Sequence, residues 1–172
     1  NTAGIIRYPQ YQYDLVRPGL GLYGVPTLRD GSEAPLRQVS TLSTIIISIK
    51  EWDAGTTIGY GRRGVLKRRS RRATIPSGYA DGSNRRRGCG TVSFLVNGHP
   101  CPTVGSICMD ICMIDITDAP ASDGNHDGHP KVGDKVVVFS PENPVTPMAD
   151  SLGTIPYELL TSVSPRVRRL YY

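Results

Sequence analysis

The chain has 172 residues, of which 38% are hydrophobic, enough for one domain with a real core or one domain plus part of another. Nineteen glycines and fourteen prolines bring their joint share to about 19%, against ~12% in average proteins, which favours short strands and turns over a helical bundle. The glycines show no triplet period, which excludes collagen, and the longest apolar runs, Ile45–Ile47 and Val136–Phe139, fall far short of the ~18 residues of a membrane span.

The net charge of +5 is unevenly spread, because ten of the twenty basic residues lie between Arg62 and Arg87, where only Asp81 opposes them. Such a cluster suits the phosphates of a nucleic acid, an acidic partner surface, or a solvated hairpin. Only Tyr60 and Tyr79 accompany it, so a base-stacking platform is poorly supported. The four cysteines, Cys89, Cys101, Cys108 and Cys112, form no CxxC pair, and His99, His126 and His129 sit in loop-like sequence. That pattern predicts free thiols in a reducing cytoplasm and no metal site.

The chain opens Asn1-Thr2-Ala3-Gly4 without an initiator methionine, as expected of a piece of a longer protein. Asp14 to Gly24 reads as a short buried strand and a turn forced by Pro18 and Gly19, followed by a linker over 25–37. From Gln38 to Lys50 a Thr/Ile-rich run predicts a strand with one wet face. Further strands are predicted at Arg72–Ile75, Thr91–Val96, Pro102–Val104, Ile107–Ile116 and Lys135–Phe139, with Asn97-Gly98 as a two-residue hairpin turn. A helix is expected to start near Thr154, with that residue as cap and Pro156 in the first turn. Many short strands point to a mainly β protein, a barrel or sandwich.

Two segments carry candidate chemistry. Gly59-Tyr60-Gly61 sets a phenol between residues that cannot shield it, next to the charges of Arg62 and Arg63; a tyrosine so placed can act as a general base, or its ring can simply pack in a turn. In Ile107-Cys108-Met109-Asp110, a strand would put Cys108 and Asp110 on one face. Cys108 is either a nucleophile without a nearby histidine or a buried strand thiol. Arg17, beside Pro18 at the edge of an apolar run, calls for a partner.

In order, Asn1-Thr2-Ala3, Val16-Arg17-Pro18-Gly19-Leu20-Gly21-Leu22-Tyr23-Gly24, Ile58-Gly59-Tyr60-Gly61-Arg62, Ser77-Gly78-Tyr79-Ala80-Asp81-Gly82, Val104-Gly105-Ser106-Ile107-Cys108-Met109-Asp110 and Thr154-Ile155-Pro156-Tyr157-Glu158 resemble the C-terminal part of bacterial alanine racemase. The ending Pro165-Arg166-Val167-Arg168-Arg169 is similar to that family's as well. The resemblance implies a β-barrel or Greek-key-like C-terminal domain over 38–172. It also implies that 1–37 hold a remnant of the last strand of an α/β barrel plus a linker. The family uses pyridoxal 5'-phosphate and pairs head to tail as a homodimer, so each β-domain completes its partner's site. Alanine is the implied substrate, D-alanine for peptidoglycan the implied product, and neither nucleic acid nor membrane is an implied partner.

By motif match, Tyr60 is the implied second catalytic base. Thr2, Gly19, Leu20 and Tyr157 are the implied phosphate ligands, and Arg17 faces the pyridine nitrogen. The Met109 amide faces the substrate carboxylate, while Tyr79, Cys108 and Asp110 line the entrance. The family's cofactor lysine lies in its barrel, and Lys50, Lys67, Lys131 and Lys135 match no such motif. Ser106 and Ile111 stand where the family often has arginine and glutamine. Two other readings stand beside this one: the resemblance also allows a racemase of this fold acting on another amino acid such as serine, and the Arg62–Arg87 cluster allows a basic nucleic-acid-binding β-barrel.

Overall fold

The structure, a computed structural model, describes residues 1–28, 36–122 and 128–171. His126 lies outside them. Nine strands and three short α-helices account for the regular elements: α1 (Thr2–Arg7), β1 (Leu42–Ile45), β2 (Ser48–Trp52), β3 (Thr57–Ile58), β4 (Gly64–Val65), β5 (Ser70–Ile75), β6 (Ser93–Val96), β7 (His99–Val104), β8 (Cys112–Asp115), β9 (Lys135–Phe139), α2 (Val145–Ser151) and α3 (Pro156–Thr161).

Seven strands form one sheet in the order β1-β9-β6-β7-β8-β5-β2, every pairing antiparallel. Its two edges, β1 and β2, are separated in sequence only by Ile46 and Ile47. Three Cα steps span at most about 11 Å, so the sheet has to curl until its edges meet. Ile46 N–H donates to Asp134 beside β9 and Ile47 N–H to Thr74 of β5, which closes that seam around a fully buried Ile46 side chain. The Thr/Ile run therefore makes two strands, and not the one the sequence predicts, because the chain changes edge in its middle.

Inside the curl the period-2 pattern is clean. Phe94 and Val96 of β6, Cys112 and Ile114 of β8, and Val136 and Val138 of β9 are completely buried. Each large apolar side chain taken out of water contributes about 1.5–3 kcal/mol. Helix α2 covers this core with Val145, Met148 and Ala149. Leu20 and Val25, well before the first strand, belong to the same cluster. The Asn97-Gly98 turn appears as expected between β6 and β7, with φ of 50° and 78°.

Three local expectations are corrected. The short buried strand expected at the start of Asp14–Gly24 is not formed: Leu15 and Val16 are exposed and no described strand lies beside them to supply a ladder, and Leu20–Tyr23 is a 3-10 turn. The strand expected over Ile107–Ile116 is confined to Cys112–Asp115, because the Cys108 and Met109 carbonyls accept from Tyr79 and Ala80 of another loop. Helix α3 is capped at Ile155, not Thr154, whose hydroxyl donates instead to the Glu158 carboxylate. Pro156 does occupy the first turn.

Candidate active site

The Tyr60 bend is built by backbone that only glycine tolerates easily. Gly59 has φ 80° and Gly61 φ 69°, both left-handed. A β-carbon on Gly59 would lie 3.1 Å from the Ser106 amide nitrogen, and one on Gly64 2.8 Å from that of Gly105. The loop thus rests on the 105–106 backbone, and the Ser106 hydroxyl donates to the Tyr60 carbonyl at 3.4 Å. Arg62 Nε donates to Thr57 Oγ1 at 3.0 Å and braces the far side. The outcome is a tyrosine ring that is 77% exposed, with no hydrogen bond from its hydroxyl among the described residues. The packed-turn reading of this tripeptide is thereby excluded.

Ser106 leads directly into the second loop. Cys108 N–H donates to the Ile111 carbonyl at 3.0 Å and turns the chain, so Cys108 and Asp110 do not share a strand face. The Tyr79 loop docks on it through Tyr79 N–H to the Cys108 carbonyl at 3.0 Å and Ala80 N–H to the Met109 carbonyl at 2.9 Å. Met109 N–H itself meets no acceptor among the described residues and is free to receive an anion. Tyr79 and Asp110 flank it, both exposed, and Cys108 is half-buried.

The N-terminal candidates gather elsewhere. Thr2 is buried, and its Oγ1 accepts from Gly19 N–H at 2.9 Å and Gly21 N–H at 3.3 Å. Gly21 must be glycine here, since a β-carbon would lie 2.6 Å from Thr2 Cγ2. Tyr157, the second residue of α3, brings its ring and hydroxyl to 3.7 Å from where a Gly19 β-carbon would stand. The Thr2 O–H, the Leu20 N–H and the Tyr157 hydroxyl find no acceptor among the described residues. Three unspent donors around a glycine backbone suit a phosphate. Arg17 is exposed and makes no ion pair among the described residues.

Helix α3 joins the two groups. Its second residue, Tyr157, lies in the cradle, and Ser162, the residue that caps its C-terminus, donates its hydroxyl to the Gly82 carbonyl beneath the Tyr79 loop at 3.2 Å. Its six residues rise about 9 Å.

Four of the ten residues of the basic cluster find carboxylates from a distance. Arg68 pairs with Asp118, Arg69 and Arg71 with Glu51, and Arg72 with Asp115, all carboxylates outside the Arg62–Arg87 segment. Arg87 is buried outright, and that burial lowers its guanidinium to about 10. A groove of about 840 Å³ is lined by Arg63, Lys67, Arg68, Arg72 and Cys89, among others, and includes none of the predicted site residues. Reading the sequence missed Arg87 and Arg166 as structural actors, since nothing local marks an arginine for burial or for a remote pair.

The family model described as "Alanine racemase, C-terminal domain" matches residues 39–171. The chain belongs to this family. As a member of the alanine racemase C-terminal domain family, it is 39% identical over 177 aligned residues to alanine racemase 1 of Caldanaerobacter subterraneus subsp. tengcongensis, covering 100% of this chain and 43% of that protein. Among solved structures it matches the biosynthetic alanine racemase of Pseudomonas aeruginosa, with a TM-score of 0.86 and 34% identity over 100% of this chain and 46% of that one. The alanine racemase of Bartonella henselae, solved with covalently bound pyridoxal phosphate, gives a TM-score of 0.87 at 35% identity, covering 100% of this chain and 45% of the other. The chain thus spans less than half the length of these relatives. The curled antiparallel sheet is that of the family domain.

Proposed function

We propose that this chain is the β-rich part of a pyridoxal-phosphate-dependent racemase interconverting L- and D-alanine, and that Tyr60 is its acid/base on one face of the substrate. The observation that carries this reading is the Tyr60 ring, lifted clear of its own domain between two left-handed glycines. So exposed a phenol does chemistry only on a group outside its own domain. The partner subunit of a head-to-tail homodimer supplies that group.

Pyridoxal phosphate, when bound, draws electrons from the substrate α-carbon and makes its proton removable. The residues of this chain divide the remaining work. Thr2, Tyr157 and the Leu20 amide would hold the phosphate, and Gly19, whose own N–H goes to Thr2, would leave it room. Arg17, a side chain with donors and no acceptor, would hold the ring-nitrogen side of the group as a hydrogen-bond donor and so would limit side reactions. The Met109 N–H receives the substrate carboxylate. Tyr60 takes or returns the α-proton on one face, and a lysine from the length of the relatives that this chain does not span serves the other. Tyr79, Cys108 and Asp110 shape the entrance, and Cys108 has no role as a nucleophile.

On this reading residues 1–37 carry the cofactor-side groups and a linker, 38–172 form the β-domain, and the 172 residues alone are inactive. The product, D-alanine, goes to peptidoglycan synthesis in the cytoplasm. In the full-length protein, Tyr60→Phe should suppress exchange of the α-hydrogen with deuterium far more for one alanine enantiomer than for the other. Equal loss for both would remove Tyr60 from this role.

A further inference from the structure

Arg166 belongs to the tail of the chain, beyond α3, yet it reaches both entrance loops. Its Nε donates to Asp81 Oδ1 at 2.7 Å and its Nη2 to Asp110 Oδ1 at 2.8 Å. Asp81 follows Tyr79 by two residues and Asp110 follows Met109 by one. One guanidinium thus cross-links the two loops that carry the entrance ring and the free amide.

The tail is itself held in place. Ser164 N–H donates to the Asp81 carbonyl at 3.1 Å. Arg169 ties the carrier segment together by donating to the carbonyls of Val163 at 3.0 Å, Val167 at 3.3 Å and Ser164 at 3.4 Å. The other Asp81 oxygen accepts from Gly78 N–H at 2.8 Å, so the carboxylate is fixed on both sides. Burial pushes the Asp81 carboxyl up, but the Arg166 and Gly78 hydrogen bonds more than reverse this and hold it below the ordinary range.

Stability accounts for at most half of this arrangement. The Asp81 side chain is 20% exposed, but Arg166 is 48% and Asp110 60% exposed, and the Arg166–Asp110 pair, so open to water, adds little to folding. Geometry accounts for the rest. Asp81 and Asp110 are brought within reach of one guanidinium, and without it two like charges are left to strain the loops that the Tyr79 and Ala80 backbone hydrogen bonds join. A planar fork with fixed donor directions sets the spacing of its two acceptors, which a lysine, a single flexible point charge, does not.

We propose that Arg166 is a positioning residue of the active site: by bridging Asp81 and Asp110 it sets the spacing of the Tyr79 and Met109 loops and so aims the Met109 amide at the substrate carboxylate. This role presupposes that Met109 and Tyr79 serve the racemase site described above.

The test uses full-length protein with wild-type Arg166, Arg166→Lys and Arg166→Gln. Expected for Arg166→Gln is a rise in KM for alanine of about ten-fold, the scale of one weakened contact to a charged group, with kcat changed much less. Arg166→Lys should rescue little of it. Amide exchange of Tyr79 and Ala80 should quicken while that of β6 and β9 stays as it was. In an Asp81→Asn/Asp110→Asn background, Arg166→Gln should have almost no further effect on KM. An unchanged KM in an active Arg166→Gln enzyme overturns the proposal alone. So does a fall in kcat and Tm with KM constant, or full rescue by lysine. A wild-type protein that does not racemise alanine overturns the underlying reading instead, and the amide-exchange comparison still decides whether Arg166 spaces the two loops.

Discussion

Gly78 and Met109 meet backbone to backbone: a β-carbon on the glycine would lie 2.1 Å from the Met109 carbonyl oxygen. Gly78 has φ −124° and ψ −173°, extended values open to any residue, so space and not conformation demands glycine there. The Tyr79 and Met109 loops can lie against each other only while that side chain is missing. Gly78→Ala should therefore part them, costing about 1–3 kcal/mol, in the range of overpacked sites. The measurements are Tm, expected to fall by roughly 5 °C, and KM for alanine in the full-length protein, expected to rise. An alanine variant with wild-type Tm and KM would show the contact to be soft.

The phosphate cradle gives a second expectation. Thr2→Val keeps the shape but removes the oxygen that accepts from Gly19 and Gly21 and the donor left for a ligand. Retention of pyridoxal phosphate by the full-length protein, followed by absorbance through dialysis, should weaken about ten-fold, the worth of one hydrogen bond to a charged group. Thr2→Ser, which retains the hydroxyl, should behave almost as wild type. Equal retention by the valine variant would place the phosphate elsewhere.

Acid sensitivity should trace to one buried pair. Arg72 and Asp115 face each other across β5 and β8, with side chains 7% and 18% exposed. Burial raises the Asp115 carboxyl, but hydrogen bonds from the Thr117 hydroxyl and amide and the charge of Arg72 outweigh it, leaving it below the ordinary value. A depressed folded-state value means that this stabilisation is complete above the usual aspartate range near ~4 and is lost as pH falls through the lower folded value. Asp115→Ala should cost about 3–5 kcal/mol at neutral pH by stranding a buried guanidinium. Asp115→Asn should flatten the fall of Tm between neutral pH and pH ~3 relative to wild type. Parallel acid slopes in the two proteins would contradict this assignment.

Sharing of a site between subunits can be tested by mixing. A full-length Arg17→Glu subunit and a full-length Tyr60→Phe subunit should each be nearly inactive alone. If Arg17 and Tyr60 of one site come from different subunits, co-refolded mixtures should recover about one intact site in four, by random pairing of two-fold dimers. No recovery would put both residues of a site on the same subunit.

Much of the β-domain was legible one segment at a time. Asn97-Gly98 is a turn wherever it is placed, because both residues accept the left-handed backbone a tight hairpin needs. Lys135–Phe139 is a strand with the predicted ends, since its β-branched run has no competing use. The glycines flanking Tyr60 marked a bend in the sequence but left a packed or a projecting ring open, and only the structure, with Tyr60 exposed, decides between them. The residues just before Pro18 and the start of Ile107–Ile116 looked equally strand-like. They are not strands, because a strand exists only where another offers its edge, and that is decided elsewhere in the chain.

Charge shows the same division. From residue order alone the Arg62–Arg87 segment is a basic run opposed only by Asp81, and Arg166 in Pro165–Arg169 has no visible partner. Only folding carries Asp115 and Asp118 to the first and lays Asp81 and Asp110 under Arg166. Backbone conformation is a short-range matter of sterics, settled within a few residues. The counter-charge of an arginine depends on which distant strands and loops pack against it, and that appears only once the sheet has closed.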